Sequence, residues 1–386
     1  VAGAMTASSI FVAGSPVEAF QDELWRKVRV MDGVPGNFLE HPSVVGEFKP
    51  GGGKGGDLMA FTTCGRYIIK EIKGDHQSLL TVARSYCERI LQGNTLLCKI
   101  YLHYRDPSSD KTYMVMGNIL SHKGPWVGLY DLKGCADDKT LIANGRKIKV
   151  VNKRIWNVHL WCGQCAWTDD RVVYYQGKVA ARGLSVTLTD EQRESVMERL
   201  KLDTAWLSGN NLMDYSLLVA MCRVRMEDLD QDAAASWARR APPSELRFPL
   251  IHRQGKKDVM LVYIGIIDFL QQWTGAKQIA MCLKFAERNK ATIPPAPYAQ
   301  RFLDHFSAKM SGGAVPLELA EETDDSEGPL AVRFYSCSSF QDLEHPKNGI
   351  ESSAVEILDN KALAETQVEV KRRSQDAHCM GCFAGL

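Results

Sequence analysis

Two strongly apolar runs, Tyr215 to Met221 and Val259 to Ile267, each adjoin an aspartate: Asp214 precedes the first and Asp268 follows the second. Runs of this length and composition read as buried strands. A carboxylate at the end of such a strand costs on the order of several kcal/mol unless a cation or hydrogen-bond donors meet it. Each acid therefore needs a partner, and the chain must fold to supply one.

The order of elements is legible around these runs. Residues 1–21, rich in small side chains, are expected to form a disordered lead-in. The spacing of Leu24, Trp25, Val28 and Val30 predicts a short helix ended by Gly33 and Pro35. A glycine-rich turn (Gly51 to Gly56), the run Leu58 to Phe61 and the strand Tyr67-Ile68-Ile69 follow, with a turn at Cys64-Gly65 between the last two. Gln77 to Leu91 has helical spacing, and Lys99 to Tyr104 and Thr112 to Met116 read as strands. Residues 134–190 read as a strand-bearing insertion, with apolar stretches at Ile148 to Val151 and Val172 to Tyr175. Thr189 to Leu207 is predicted as a helix, with Thr189 and Gln192 arranged as a capping box and Val196, Leu200, Leu202 and Trp206 on its apolar side. Helices are also expected at Ile279 to Glu287 and Pro297 to Phe306. Residues 311–330 hold six acids and no base, so 311–386 are expected to be an acidic linker and tail.

Composition narrows the partners. With 47 basic and 46 acidic residues there is no global field to gather nucleic acid or lipid, and an anionic partner must meet a local patch. No uncharged apolar run approaches the roughly 20 residues of a transmembrane helix. Eleven cysteines, an odd number, read as reduced cytosolic thiols. The first residue, Val1, is not methionine, which reads as a fragment.

Lys70 ends the strand after the glycine-rich turn, and taken alone that unit is an ordinary hairpin. Taken with Asp214 and Asp268 it supplies what phosphoryl transfer requires: a cation for the phosphates, an acid near the acceptor hydroxyl and an acid to hold Mg²⁺.

The strings GKGGDLMAFTTCGRYIIK, NTLLCKIYLHYR, YMVMGN, YDLKG, NLMDYSLLV, YIGIIDFLQ and PYAQRFLDHF occur in this order. From about Leu24 to Phe306 the chain resembles the phosphatidylinositol phosphate kinase family, lipid kinases that phosphorylate an inositol ring already bearing a phosphate. The resemblance implies an α+β, two-lobed lipid kinase fold with an antiparallel sheet and helices in each lobe. The catalytic domain would span 22–310, with the N-lobe at about 22–120, the C-lobe at about 121–310 and an ATP cleft between them. It further implies ATP and Mg²⁺ as cofactors. Lys70 and Lys133 would act on phosphates, Asp214 as the catalytic acid and Asp268 as the metal ligand. Gly53, Lys54, Gly55, Gly56 and Asp57 would cover the nucleotide, with Asp131 beside it. The expected product is phosphatidylinositol 4,5-bisphosphate, made from a monophosphate in an anionic membrane by a cytoplasmic, peripheral enzyme. A 5-kinase acting on phosphatidylinositol 4-phosphate, a 4-kinase acting on phosphatidylinositol 5-phosphate and a catalytically silent phosphoinositide-binding scaffold all remain open.

The chain departs from the family pattern at several positions. Cys135 and Ala136 stand where DLKGST is usual, and Lys139 replaces an Arg, losing its bidentate fork. The acid expected near His76 to pair with the strand lysine is missing, although Glu71 and Asp75 lie close by in sequence. Five residues after Asp214, where protein kinases carry a metal-binding Asn, stands Val219. Residues 269–301 carry a net +4 from Lys277, Lys284, Arg288, Lys290 and Arg301 against Glu287, each charge worth about 1 kcal/mol near an anionic leaflet. Ala280, twelve residues after Asp268, matches the 4-kinase pattern rather than the Glu of 5-kinases, while Met281 replaces the His flanking both. Cys162-Gly-Gln-Cys165 imitates a redox motif but lacks βαβ surroundings. Cys379 and Cys382 form a second such pair, compatible with zinc or with acylation beside Lys371, Arg372 and Arg373.

Overall fold

Alternation along Tyr67–Glu71 sets the geometry of the first sheet. Tyr67, Ile69 and Glu71 are buried on one face, which turns Lys70 to the other. A computed structural model describes residues 10–50, 57–120, 126–151, 168–188, 190–225, 250–254, 258–283, 291–312, 331–332 and 357–358.

Seven antiparallel strands form this sheet. In chain order they are β1 (Ile10–Val12), β2 (Ser15–Ala19), β3 (Lys49–Pro50), β4 (Leu58–Phe61), β5 (Tyr67–Glu71), β6 (Ile100–Asp106) and β7 (Lys111–Gly117), arranged β1-β2-β6-β7-β5-β4-β3. Helices α1 (Asp22–Met31) and α2 (His76–Leu91) belong with it. Trp25, Val28, Tyr86 and Ile90 are fully enclosed, a burial worth roughly 1.5–3 kcal/mol for a large apolar side chain.

The lead-in expectation is corrected between Ile10 and Ala19. These residues form a hairpin on the sheet edge, turned by Ala13 (φ 49°) and Gly14 (φ 81°). Two consecutive left-handed residues match the twist of the flanking strands, so a small-residue pair that reads as loose is a tight turn.

The second sheet has six antiparallel strands in the order β10-β9-β8-β12-β14-β13. These are β8 (Trp126–Leu132), β9 (Lys139–Ala143), β10 (Arg146–Lys147), β12 (Ser216–Arg225), β13 (Leu250–Gln254) and β14 (Asp258–Ile267). The helices of this half are α3 (Asp169–Gly183), α4 (Asp190–Gly209), α5 (Gly275–Leu283) and α6 (Pro295–Lys309). A short parallel ladder joins β11 (Val186–Leu188) to β15 (Met310–Gly312). A further two-stranded pair lies at β16 (Ala331–Val332) and β17 (Ile357–Leu358).

Val172 to Tyr175, read as a strand-like stretch, is instead part of α3. Its buried Tyr174, Lys178 and Ala181 recur at helical intervals, and Asp169 and Asp170 favour the helix start. In α4 the buried stripe is Val196, Leu200, Asp203, Thr204 and Leu207, while Leu202 is exposed. Thr189, the expected cap, and both CxxC pairs lie outside the described residues.

The sheets are tied together by backbone. Leu97 forms a parallel bridge with Ile266, through Cys98 N to Ile266 O at 2.9 Å and Ile266 N to Leu96 O at 2.7 Å. The same segment is anchored from α4, where the buried carboxylate of Asp203 accepts from Leu96 N (2.6 Å), Thr95 Oγ1 (2.8 Å) and the Arg89 guanidinium (2.8 Å). Arg89, in the last turn of α2, also donates to the carbonyls of Gly93 and Asn94 in the turn that follows the helix.

Candidate functional site

Strand register brings the sequence-singled acids and one lysine to a common end of the second sheet. Leu217 faces Leu132 on one side and Ile266 on the other. Lys133, Asp214 and Asp268 thus sit just beyond the matched ends of β8, β12 and β14. Asp214 (φ 64°) and Asp268 (φ 54°) both adopt the left-handed backbone region. Such residues cluster where surrounding structure holds a functional geometry.

That surrounding structure is visible. Residues just before Asp214 pair with those just after Asp268: Leu212 bridges Gln272, and Met213 N donates to Gln271 O at 2.9 Å. On the other side α6 braces the next residue. Tyr298 Oη donates to the Tyr215 carbonyl at 2.5 Å, and the Tyr215 ring lies edge-on to Tyr298 and Phe302 at centroid distances of 4.7 and 4.9 Å. The PYAQRFLDHF string is thus a buttress for the segment carrying Asp214.

Both expected cations reach an acid. Lys70 Nζ lies 2.8 Å from Asp268 Oδ1, bridging the two sheets. Burial alone would lower the Lys70 ammonium, but Asp268, with help from Asp75 and Asp57, outweighs it and holds the pKa above the usual lysine value. Burial pushes Asp268 upward, yet Lys70, Lys133 and Lys139 together hold it below the usual carboxylate range. Lys133 Nζ donates to Asp214 twice, to Oδ1 at 2.5 Å and to the carbonyl at 2.7 Å. Its pKa is also raised: desolvation opposes the charge, and Asp214 and Asp131 overcome it.

The remaining residues divide clearly. Asp131 and Lys139 face each other across β8 and β9 and form an ion pair at 2.8 Å, so Lys139 is held by Asp131 in this state. Asp57 lies within the field of Lys70. Lys277, at the start of α5, donates to Gln271 Oε1 at 3.0 Å, and Ala280 lies on the same helix. Gly53, Lys54, Gly55, Gly56, Lys284, Arg288 and Lys290 lie outside the described residues, although the flanking strands β3 and β4 pair with each other.

Two features are decided only by the fold. The acid thought missing near His76 has a counterpart in Asp75, immediately before α2, whose carboxyl is raised by burial and partly lowered by Lys70. Glu71 cannot take that role, because it faces the opposite side of β5 and accepts from Leu58 N. Asp138 is the other feature: fully buried, it accepts from the backbone N–H groups of Lys133 (2.6 Å) and Cys135 (3.3 Å). Only its spacing within the polar stretch after the DLKG string could have hinted at this.

Among the described residues no group of three or more His, Cys, Asp or Glu side chains could hold a metal by itself. The half-exposed carboxylate of Asp268 fits magnesium, which takes hard oxygen donors and is usually bound by one or two carboxylates together with phosphate oxygens and water. Among the described residues no helix is long and apolar enough to cross a membrane.

The α+β fold, with its two antiparallel sheets, agrees with the comparisons to known proteins. The family description for phosphatidylinositol-4-phosphate 5-kinase matches residues 45–309, and the chain belongs to that family. Its relatives carry both kinase names. A phosphatidylinositol 4-phosphate 5-kinase of Plasmodium falciparum is 24% identical over 290 residues, covering 67% of this chain and 15% of the relative. Phosphatidylinositol 5-phosphate 4-kinase type-2 gamma of Mus musculus is 24% identical over 294 residues, covering 62% of this chain and 64% of the relative. The type-2 beta protein of Rattus norvegicus is 23% identical over 301 residues, covering 66% and 67%.

Proposed function

We propose that the protein is an ATP-dependent phosphatidylinositol phosphate kinase that makes phosphatidylinositol 4,5-bisphosphate, acting as a 5-kinase on phosphatidylinositol 4-phosphate. The observation that carries this reading is the meeting of Lys70 with Asp268 across the two sheets, beside the Lys133–Asp214 pair. One nucleotide triphosphate between the sheets would face both cations and both acids.

In this reading Lys70 releases Asp268 as phosphate oxygens take over its ammonium, with Asp75 and Asp57 keeping it charged. Asp268 would hold magnesium, which supplies charge neutralisation on the phosphates. Asp214 orients the ring hydroxyl and accepts its proton, while Lys133 steadies both Asp214 and the transferred phosphoryl group. Lys139 remains on Asp131 or turns to a lipid phosphate. The basic stretch 269–301 favours an anionic leaflet, which corresponds to a peripheral enzyme on the cytoplasmic face.

The test is product analysis. The protein is incubated with ATP and magnesium and with vesicles holding each phosphatidylinositol monophosphate in turn, and products are resolved by ring position. The 4-phosphate is expected to be converted to the 4,5-bisphosphate. Ala280 supports a second reading as a 4-kinase, which preferential use of the 5-phosphate would establish. No ATP-dependent product from any isomer would refute both and leave a binding scaffold.

A further inference from the structure

We propose that Asp138 and His305 are positioning residues that set the Lys133 ammonium on Asp214. The inference deepens the kinase reading and rests on it for its kinetic consequence. Lys133 sits in a turn, and a lysine at a turn is placed only as well as the turn itself.

Here the turn is clamped from inside. The Asp138 carboxylate, 1% exposed on its side chain, receives Lys133 N at 2.6 Å and Cys135 N at 3.3 Å, while Asp138 N closes the loop onto Cys135 O at 3.0 Å. A single side-chain oxygen therefore satisfies the two N–H groups that flank Gly134. The second oxygen lies 3.2 Å from His305 Nε2 on α6, the helix that also buttresses Tyr215. Burial would raise the Asp138 carboxyl, but His305 and the two N–H groups hold it below its usual range, so the clamp is ionised at neutral pH.

Gly134 makes the contact possible. Its φ of 69° is left-handed, and a Cβ there would lie 3.2 Å from His305 Cβ, so the turn and the helix touch at closest approach. One helix thus supports both halves of the Lys133–Asp214 pair, through His305 and Asp138 on one side and through Tyr298 and Tyr215 on the other. Asp138 falls between Ala136 and Lys139, two positions at which the chain departs from the family pattern.

The experiment follows Lys133 directly as well as turnover. Asp138→Ala, Asp138→Asn and His305→Ala are prepared in the full chain, and each lysine's acylation rate with an amine-reactive ester is read by mass spectrometry. Freeing Lys133 from Asp214 is expected to raise its labelling roughly 10-fold in Asp138→Ala and roughly 3-fold in His305→Ala, with Lys70 unchanged, because misplacement near 1 Å is enough to disrupt such geometry. On phosphatidylinositol 4-phosphate vesicles kcat should fall roughly 10- to 100-fold with lipid KM within about threefold, and Asp138→Asn should recover most of both readouts, since its amide oxygen still accepts from Lys133 N.

Unchanged Lys133 labelling in folded Asp138→Ala and His305→Ala would overturn the proposal. So would Lys70 and Lys133 rising together, or a raised KM at constant kcat. If Asp138→Ala does not fold, the partly exposed His305→Ala decides by the same criteria. If the wild-type protein phosphorylates no lipid, the kinase reading falls and the labelling result alone judges the clamp.

Discussion

One ammonium joins Lys133 to Asp214 twice, through the carboxylate and through the same residue's own carbonyl. The second bond matters because Asp214 is left-handed, and a donor on its carbonyl fixes the backbone as well as the side chain. Lys133→Met should therefore lower turnover by about 10²–10³, the scale for losing a preorganised charge-stabilising group. Lys133→Arg should not restore it, because a guanidinium is bulkier than the compact ammonium seated here, and its rigid fork spaces donors for the two oxygens of one carboxylate rather than for a carboxylate oxygen and a main-chain carbonyl. Steady-state kinetics of the two variants would check this, and full activity in Lys133→Arg would contradict it.

The Lys70–Asp268 pair predicts a window of pH-dependent stability. The Asp268 pKa is lowered in the folded protein, so its contribution is present above the unfolded value near 4 and is lost as pH falls through the folded value. The Lys70 pKa is raised, so its contribution is present below the unfolded value near 10 and is lost as pH rises through the folded value. The difference in unfolding midpoint between wild type and Lys70→Met should then be flat from about pH 5 to 9 and change only outside that range. A difference that varies steeply around pH 7 would show that another group governs the pair.

Asp203 has the opposite sign. Burial pushes its pKa to about 6 despite Arg89, Leu96 N and Thr95, so the folded state binds a proton more tightly than the unfolded chain. Its favourable contribution is complete below about pH 4 and fades as pH rises through 6. Asp203→Asn should remove about 2–3 kcal/mol of this pH dependence between pH 4 and 6, measured as parallel urea titrations. Identical slopes in the two proteins would exclude it.

Gly134 and Gly33 both have left-handed backbones, but only Gly134 has a neighbour where its Cβ would stand. Alanine at Gly33 should cost about 1–2 kcal/mol from backbone strain alone. Alanine at Gly134 should cost more, and should also reduce turnover by moving Lys133. Equal unfolding free energies for the two variants would mean that the close approach to His305 relaxes freely.

Lys70, Asp214 and Asp268 were legible because each is a charge at the end of an apolar run, whereas Lys133 entered only through the family resemblance. Their convergence followed from strand ends in register, which a resemblance implies and spacing alone does not. Val172 to Tyr175 misled because four apolar residues suit a strand or a helix equally, and the deciding contacts of Tyr174 and Lys178 come from distant chain. The Ala13-Gly14 turn was hidden in small residues that also suit a loose end. Asp138 left no more than its spacing after the DLKG string: an acid in a polar stretch looks solvated until the turn folds around it.

The bridge between Leu97 and Ile266 has a mechanical outcome. With Ile266 bonded to both Leu96 and Cys98, the two sheets share a stitched backbone seam. Asp268 lies two residues beyond it, so the same main-chain bonds that join the sheets also anchor this carboxylate, whereas Lys70 reaches it from the other sheet by its side chain alone.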